Sequence, residues 1–171
     1  KLDLNLDEIA AANLDKTRSR WLTGSAEAFD TGFPETERLP RLGTYAFIPD
    51  ISTKGYPQVR LHFNGRPLGD PLTDNTATDD GYRFHDIFHL AYATYLGWSP
   101  VTRALLKRKR RSDPATDEQE DGGRAIVAEE GLSLFAFAYG AQHNYLAGVT
   151  RLDQQLLDGI ALMTSGLEVG S

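Results

Sequence analysis

Two stretches of the chain, Phe84 to Trp98 and Ala125 to Tyr139, are apolar at almost every helical position, yet each carries charge in its middle. The first, FHDIFHLAYATYLGW, holds His85, Asp86 and His89, and the second, AIVAEEGLSLFAFAY, holds adjacent Glu129 and Glu130. A helix that is apolar on every face is expected inside the protein, where a carboxylate is costly unless a cation, a proton or a metal answers it. The pattern predicts two buried helices and places the candidate function where charge interrupts them.

The rest of the chain divides by texture. Apolar positions recur at three and four residues through LNLDEIAAANLDKTRSRW, with Asn5 and Glu8 spaced as a capping box, which predicts an N-terminal helix within residues 1–22. Residues 23–80 are punctuated by Gly, Pro, Thr and Asp and read as an irregular insert with short strands. The clearest strand is QVRLHF, where Val59, Leu61 and Phe63 alternate with Arg60 and His62 ahead of an Asn64-Gly65 turn; Pro67 and Pro71 weaken the return strand. From Gly81 the pattern is helical. Ser99-Pro100 starts a helix expected to reach about Arg111, Thr116 or Asp117 is read as the next cap, and Gly122-Gly123 as a turn or close backbone approach. Thr150 is expected to cap a last helix whose Leu152, Leu156, Ile160 and Met163 form one stripe. The expected fold is mainly α: a core of four to five helices over residues 81–171, with an irregular insert containing a short β-hairpin, in one compact unit.

Composition narrows this picture. A chain of 171 residues without cysteine can bury an adequate core and cannot use disulfides, and no leader or spanning segment is legible, so a cytoplasmic location is expected and a membrane partner is not. The net charge of -6 argues against a chain that coats nucleic acid, although Lys107, Arg108, Lys109, Arg110 and Arg111 form a basic run ahead of an acidic stretch.

The sharpest chemistry lies in His85-Asp86-Ile87-Phe88-His89. Residues four apart share a helix face, so the two imidazoles can point at one spot; His85 and His89 lie with Tyr82 and Tyr92, whereas Asp86 lies with Leu90 and Ala93 and can orient a residue of another helix. With Glu129 and Glu130 from a neighbouring helix, the candidate metal ligands are His85, Asp86, His89, Glu129 and Glu130. The candidate catalytic groups are Glu129, Glu130 and Asp86. Magnesium or manganese is the expected divalent ion, with zinc also open. If the basic run curls back over these carboxylates, Lys107 to Arg111 and Arg124 would bind substrate phosphate; otherwise they complement helix ends and solvate the surface. The plain alternative for the whole cluster is a buried network in which Arg83 or Arg124 neutralises the acids.

The segment DEIAAANLDKTRSRW resembles the closing helix of MazG-type nucleotide pyrophosphohydrolase domains. The stretch GYRFHDIFHLAYATYLGWSPVTRALLKRKRRSDPATDEQEDGGRAIVAEEG is similar to a C-terminal domain found fused behind such domains. The resemblance implies magnesium-dependent cleavage of a nucleoside triphosphate to monophosphate and pyrophosphate. It also implies a nucleotide substrate, and association either with itself as a dimer or with a MazG catalytic domain. The family's paired EExxE and ExxD helices are absent in that order: Glu129-Glu130 begins like the first and Asp86 to Leu90 has the texture of the second, reversed and without the third glutamate.

Three readings follow. The chain is a metal-dependent hydrolase of nucleotides, or a non-catalytic module that oligomerises or regulates such an enzyme. In the third, HDxxH with a later glutamate outlines a zinc-dependent hydrolase with aspartate in place of the usual base.

Overall fold

The strand centred on Leu61 organises the N-terminal half. In the computed structural model, which describes residues 28–167, β1 (Tyr45–Ile51) runs antiparallel to β2 (Pro57–Phe63) with Phe47 opposite Leu61. On the far side of β2 lie two short partners, β3 (Arg66–Pro67) and β4 (Leu72–Thr73), with His62 opposite Pro67 and Val59 opposite Leu72. The Asn64-Gly65 expectation holds: both residues have positive φ, 49° and 78°, as a tight two-residue hairpin turn requires. β1 was not legible because Pro49 interrupts its pattern; as an edge strand it needs ladder bonds on one side only. The N-terminal helix expected within residues 1–22 lies outside the described residues.

Five α-helices follow among the described residues: α1 (Asp86–Leu96), α2 (Pro100–Leu106), α3 (Pro114–Gln119), α4 (Gly123–Gln142) and α5 (Gln154–Thr164). A helix-rich fold with a small antiparallel sheet results, and none of these helices is long and apolar enough to cross a membrane. Leu61 and Leu68 from the sheet side meet Leu90 of α1, with Tyr45, Phe47, Phe63, Leu105 and Leu106 packed around them. This core fixes α1 and α2 against the sheet.

Several helix ends differ from expectation. α2 begins where Ser99 and Pro100 predict, the Ser99 hydroxyl accepting from Thr102 N at 3.0 Å, but it stops at Leu106 because Lys107 turns to φ 57°. Asp113, not Thr116 or Asp117, caps α3, and Asp153, not Thr150, caps α5 by accepting from Leu156 N at 2.8 Å. In both cases the aspartate lies nearer the first helical residue, and its short carboxylate reaches the free N–H groups. Gly122 is a close backbone approach: a Cβ there would lie 2.1 Å from the Glu118 carbonyl oxygen.

The helices are also less enclosed than their sequences suggest. Ile87 and Tyr95 on α1 and Val127 and Leu134 on α4 are exposed, since a helix at the edge of a small layer has no neighbour on its outer face.

α1 closes on Gly97, whose φ of 65° and tight surroundings exclude a side chain; a Cβ would lie 2.5 Å from the Arg41 guanidinium and 2.7 Å from Asp30 Oδ1. Gly97→Ala is therefore expected to cost about 2 kcal/mol or more, from the left-handed backbone and the clash together. Urea denaturation checks this, and a variant as stable as the parent would show that the contact relaxes freely.

Candidate metal centre

His85 ends the 3-10 turn Tyr82–Phe84 just before α1, and His89 follows one helical turn later, so both rings leave one face. Nδ1 of His85 is 2.9 Å from the Tyr82 carbonyl oxygen, and Nδ1 of His89 is 2.8 Å from Glu129 Oε1. A carbonyl or an ionised carboxylate can only accept, so each Nδ1 carries a proton and donates it. Each Nε2 is left facing forward.

Glu130 completes the convergence. Its Oε2 lies 3.7 Å from His85 Nε2 and 3.5 Å from His89 Nε2, and one donor atom from each of the three residues falls within 4.8 Å of the others. Glu130 is 43% exposed at its side chain while His89 is 2% exposed, so the cluster is most open to solvent on the Glu130 side. Nε2 of His89 is buried without a hydrogen-bond partner among the described residues, an arrangement that usually costs free energy. Asp86 is buried too, with Oδ1 3.5 Å from His85 Nε2. The Tyr82 ring lies parallel on His85, 4.3 Å between centroids.

The electrostatics follow from this packing. Burial disfavours the His89 cation, but the hydrogen bond to Glu129 and the charges of Glu129 and Glu130 outweigh it and raise the pKa to about 9. The His89 imidazolium holds the Glu130 carboxyl below the ordinary carboxylate range, against its partial burial. Burial lifts the Asp86 carboxyl above that range, against the pull of His85 and His89.

The two adjacent glutamates have different places. Successive helical residues point about 100° apart, and Glu129 turns behind His89, fully buried. Its Oε1 accepts from Ser99 Oγ at 2.5 Å as well as from His89, and its Oε2 accepts from Val101 N at 2.8 Å. Both oxygens are occupied at the N-terminus of α2. Glu129 thus stands behind His89 with both oxygens engaged, and of the two adjacent glutamates only Glu130 joins the converging donor atoms. Asp86 stands beside His85, outside the three-residue convergence.

The basic run makes contacts of its own elsewhere in the fold. It follows the C-terminal end of α2, whose N-terminal end touches Glu129, about 10 Å away along the helix. Arg110 is buried and pairs with Asp121, Nη2 to Oδ1 at 2.7 Å, and with Glu120 at 2.9 Å. Arg108 donates to the carbonyls of Glu35 and Arg38 at 2.9 and 2.6 Å. Lys107 and Arg111 are exposed, Lys109 is half-buried, and Arg124 is exposed on the first turn of α4. Two of the five side chains expected to cradle phosphate are thus engaged with the rest of the fold, Arg110 buried and Arg108 half-exposed. Arg83 pairs with Asp74 and Asp79 at 2.6 Å each, which leaves the acids of the centre without it.

Sequence reasoning missed the second buried cluster. Arg103 of α2 is fully buried; its guanidinium donates to Asp30 Oδ2 at 2.9 Å, to Gly97 O at 2.7 Å and to Glu37 O at 2.5 Å, and Nε lies 3.5 Å from Asp121 Oδ1. The only signal was one arginine in the otherwise uncharged helix PVTRALL. A separate apolar cavity of about 310 Å³, lined by Phe29, Tyr92, Leu96, Trp98, Leu132 and Ile160 among others, contains none of the charged residues of the centre.

The MazG C-terminal domain family matches residues 24–171. No curated protein and no solved structure matches the chain.

Proposed function

With membership of this chain in the MazG C-terminal domain family as the premise, we propose that it is a hydrolase module for nucleotide phosphates, working through one divalent ion held by His85, His89 and Glu130. The observation that carries the reading is the paired anchoring of the two histidines. Each imidazole is held through Nδ1, by Tyr82 O or by Glu129, so that both Nε2 atoms converge with a half-exposed carboxylate. A carboxylate behind a metal-binding histidine is the usual device for fixing its tautomer and raising its basicity. The donor set of two imidazoles and one carboxylate suits zinc or manganese better than magnesium, which prefers oxygen ligands.

A bound ion would supply positive charge to a phosphate oxygen and lower the pKa of a coordinated water. The chain's own residues do the rest. Glu129 holds the His89 ring at the correct angle. Asp86, raised by burial and beside His85, accepts a proton from the attacking water. Glu130 sits at the open side, where the phosphate chain enters.

The second reading, a module that oligomerises with its like or regulates a MazG catalytic domain, is favoured by the exposed Ile87, Tyr95, Val127 and Leu134. In that case His89 stays an imidazolium neutralised by Glu129 and Glu130.

Metal titration separates the two. His89 must lose its proton to bind an ion, so calorimetry with Mn²⁺ or Zn²⁺ is expected to show release of about one proton at pH 7 and affinity rising about tenfold per pH unit towards pH 9. The metal-free chain is expected to behave oppositely. A histidine with pKa raised from 6.5 to about 9 contributes stability that is complete below pH 6.5 and is lost as pH rises through 9, about 3 kcal/mol in all. Absence of stoichiometric binding across pH 6 to 9 would return the centre to the second reading.

A further inference from the structure

Asn144, Tyr145 and Leu146, just beyond α4, have φ of 51°, 50° and 60°. Three consecutive residues with side chains in the left-handed region are costly, because each Cβ crowds the following carbonyl; asparagine tolerates this, tyrosine and leucine do not. Such a turn survives only where its surroundings over-determine it, and these do. Leu146 N donates to His143 O at 3.0 Å, Ala147 N to Asn144 O at 3.0 Å, and Val149 N to Leu146 O at 3.1 Å. The His143 ring stacks on Tyr139 at 3.9 Å and its Nδ1 donates to Tyr139 O at 2.7 Å, while the Tyr139 hydroxyl donates to Asp153, the cap of α5.

The strained turn leaves Tyr145 63% exposed, at the end of a row of rings that leads to the centre. Tyr145 meets Phe137 at 6.4 Å between centroids, Phe137 meets Tyr82 edge-on at 5.1 Å, and Tyr82 lies flat on His85 at 4.3 Å. Phe137 stands two turns along the same face of α4 as Glu130. This face therefore runs from charge and imidazole at one end to aromatic surface at the other. A nucleotide has the same polarity, phosphate at one end and a flat, uncharged base at the other.

We infer that Tyr145, presented by the left-handed turn Asn144–Leu146, is the stacking surface for the base of the nucleotide whose phosphates reach His85, His89 and Glu130, with Phe137 behind it. The inference rests on the nucleotide reading above and adds how the base is recognised: by stacking, which accepts any base. Tyr145→Asn removes the ring while suiting the left-handed backbone, and Tyr145→Phe keeps the ring.

The test uses the Mn²⁺-loaded full chain and calorimetry with two probes, an α,β-methylene nucleoside triphosphate and inorganic tripolyphosphate. Tyr145→Asn is expected to weaken the nucleotide analogue about tenfold and leave tripolyphosphate unchanged, with Tyr145→Phe close to the parent. Equal effects on both probes, or none on either, would overturn the inference. A free nucleoside titrated into the metal-free chain, followed by aromatic NMR shifts, keeps the two proposals apart. Shifts of the Phe137 ring in the parent that vanish in Tyr145→Asn uphold base stacking even if Mn²⁺ does not bind; no shift of the Tyr145 and Phe137 rings in the parent overturns it even if Mn²⁺ does.

Discussion

A Glu130→Gln variant is expected to fold as the parent does and to bind Mn²⁺ or Zn²⁺ more than about a hundredfold more weakly, a loss beyond that typical of an outer-shell partner. Glu130 is 43% exposed at its side chain, so an amide of the same shape costs little in the folded chain. Two effects then oppose each other at the centre. Loss of the Glu130 charge lowers the proton affinity of His89, which eases metal entry, but it also removes the one anionic donor among the three converging groups. The lost donor dominates, because two neutral imidazoles do little to neutralise a divalent ion. Glu129→Gln should behave differently. An amide there faces the His89 Nδ1–H, Ser99 and Val101 N in a fully buried site, so both metal affinity and stability should fall, the affinity by 10- to 100-fold. Calorimetry together with thermal unfolding of the two variants tests the division of roles. Metal affinity of Glu130→Gln within threefold of the parent would remove Glu130 from the centre.

Arg103→Met should produce the largest loss of stability, about 3–5 kcal/mol, because it leaves Asp30 and Asp121 buried opposite an apolar side chain. Burial and the nearby Arg110 push the Arg103 pKa down, while Asp121 and Asp30 push it back. The three carbonyls of Glu37, Gly97 and Arg108 would lose a donor as well. The consequence reaches the centre through α2. Arg103 ties the segment at Asp30 and the C-terminal end of α1 to the helix whose first turn supplies Ser99 and Val101 to Glu129. A loosened α2 would therefore release Glu129 and, with it, the orientation of His89. Guanidinium denaturation measures the first effect, and metal titration at low temperature, where the variant remains folded, measures the second. A change below about 1 kcal/mol would mean that Arg41 beside Asp30 and Arg110 beside Asp121 suffice to neutralise the buried carboxylates.

How far the sequence could be read depended on whether an element is determined locally. The Asn64-Gly65 turn, the alternation in Pro57–Phe63, the Ser99-Pro100 helix start and the close approach at Gly122 all rest on the backbone preferences of a few adjacent residues, and all four appear in the fold. The early end of α2 comes instead from Lys107 taking the left-handed conformation that glycine usually supplies, and just beyond it Arg108 bonds the Glu35 and Arg38 carbonyls, seventy residues and more away in sequence. No local pattern carries such a contact. Equally, β1 is a strand because β2 offers it a partner, despite Pro49.

By itself, the sequence determined that His85 and His89 share a helix face and that carboxylates interrupt two apolar helices, since helical periodicity places residues four apart on one side. It also determined membership of the MazG C-terminal domain family. Only the tertiary structure decided which carboxylate faces which way. Glu129 and Glu130 are chemically identical neighbours, and the difference between them arises because the N-terminus of α2 offers Ser99 Oγ and Val101 N to one and solvent lies before the other. Likewise, within the basic run Arg110 is drawn inward by Asp121 and Glu120 and Arg108 is held by the carbonyls of Glu35 and Arg38, while Lys107 and Arg111 stay exposed. A charged side chain's role is set by what surrounds it once water is excluded, and those surroundings come from parts of the chain that are distant in sequence.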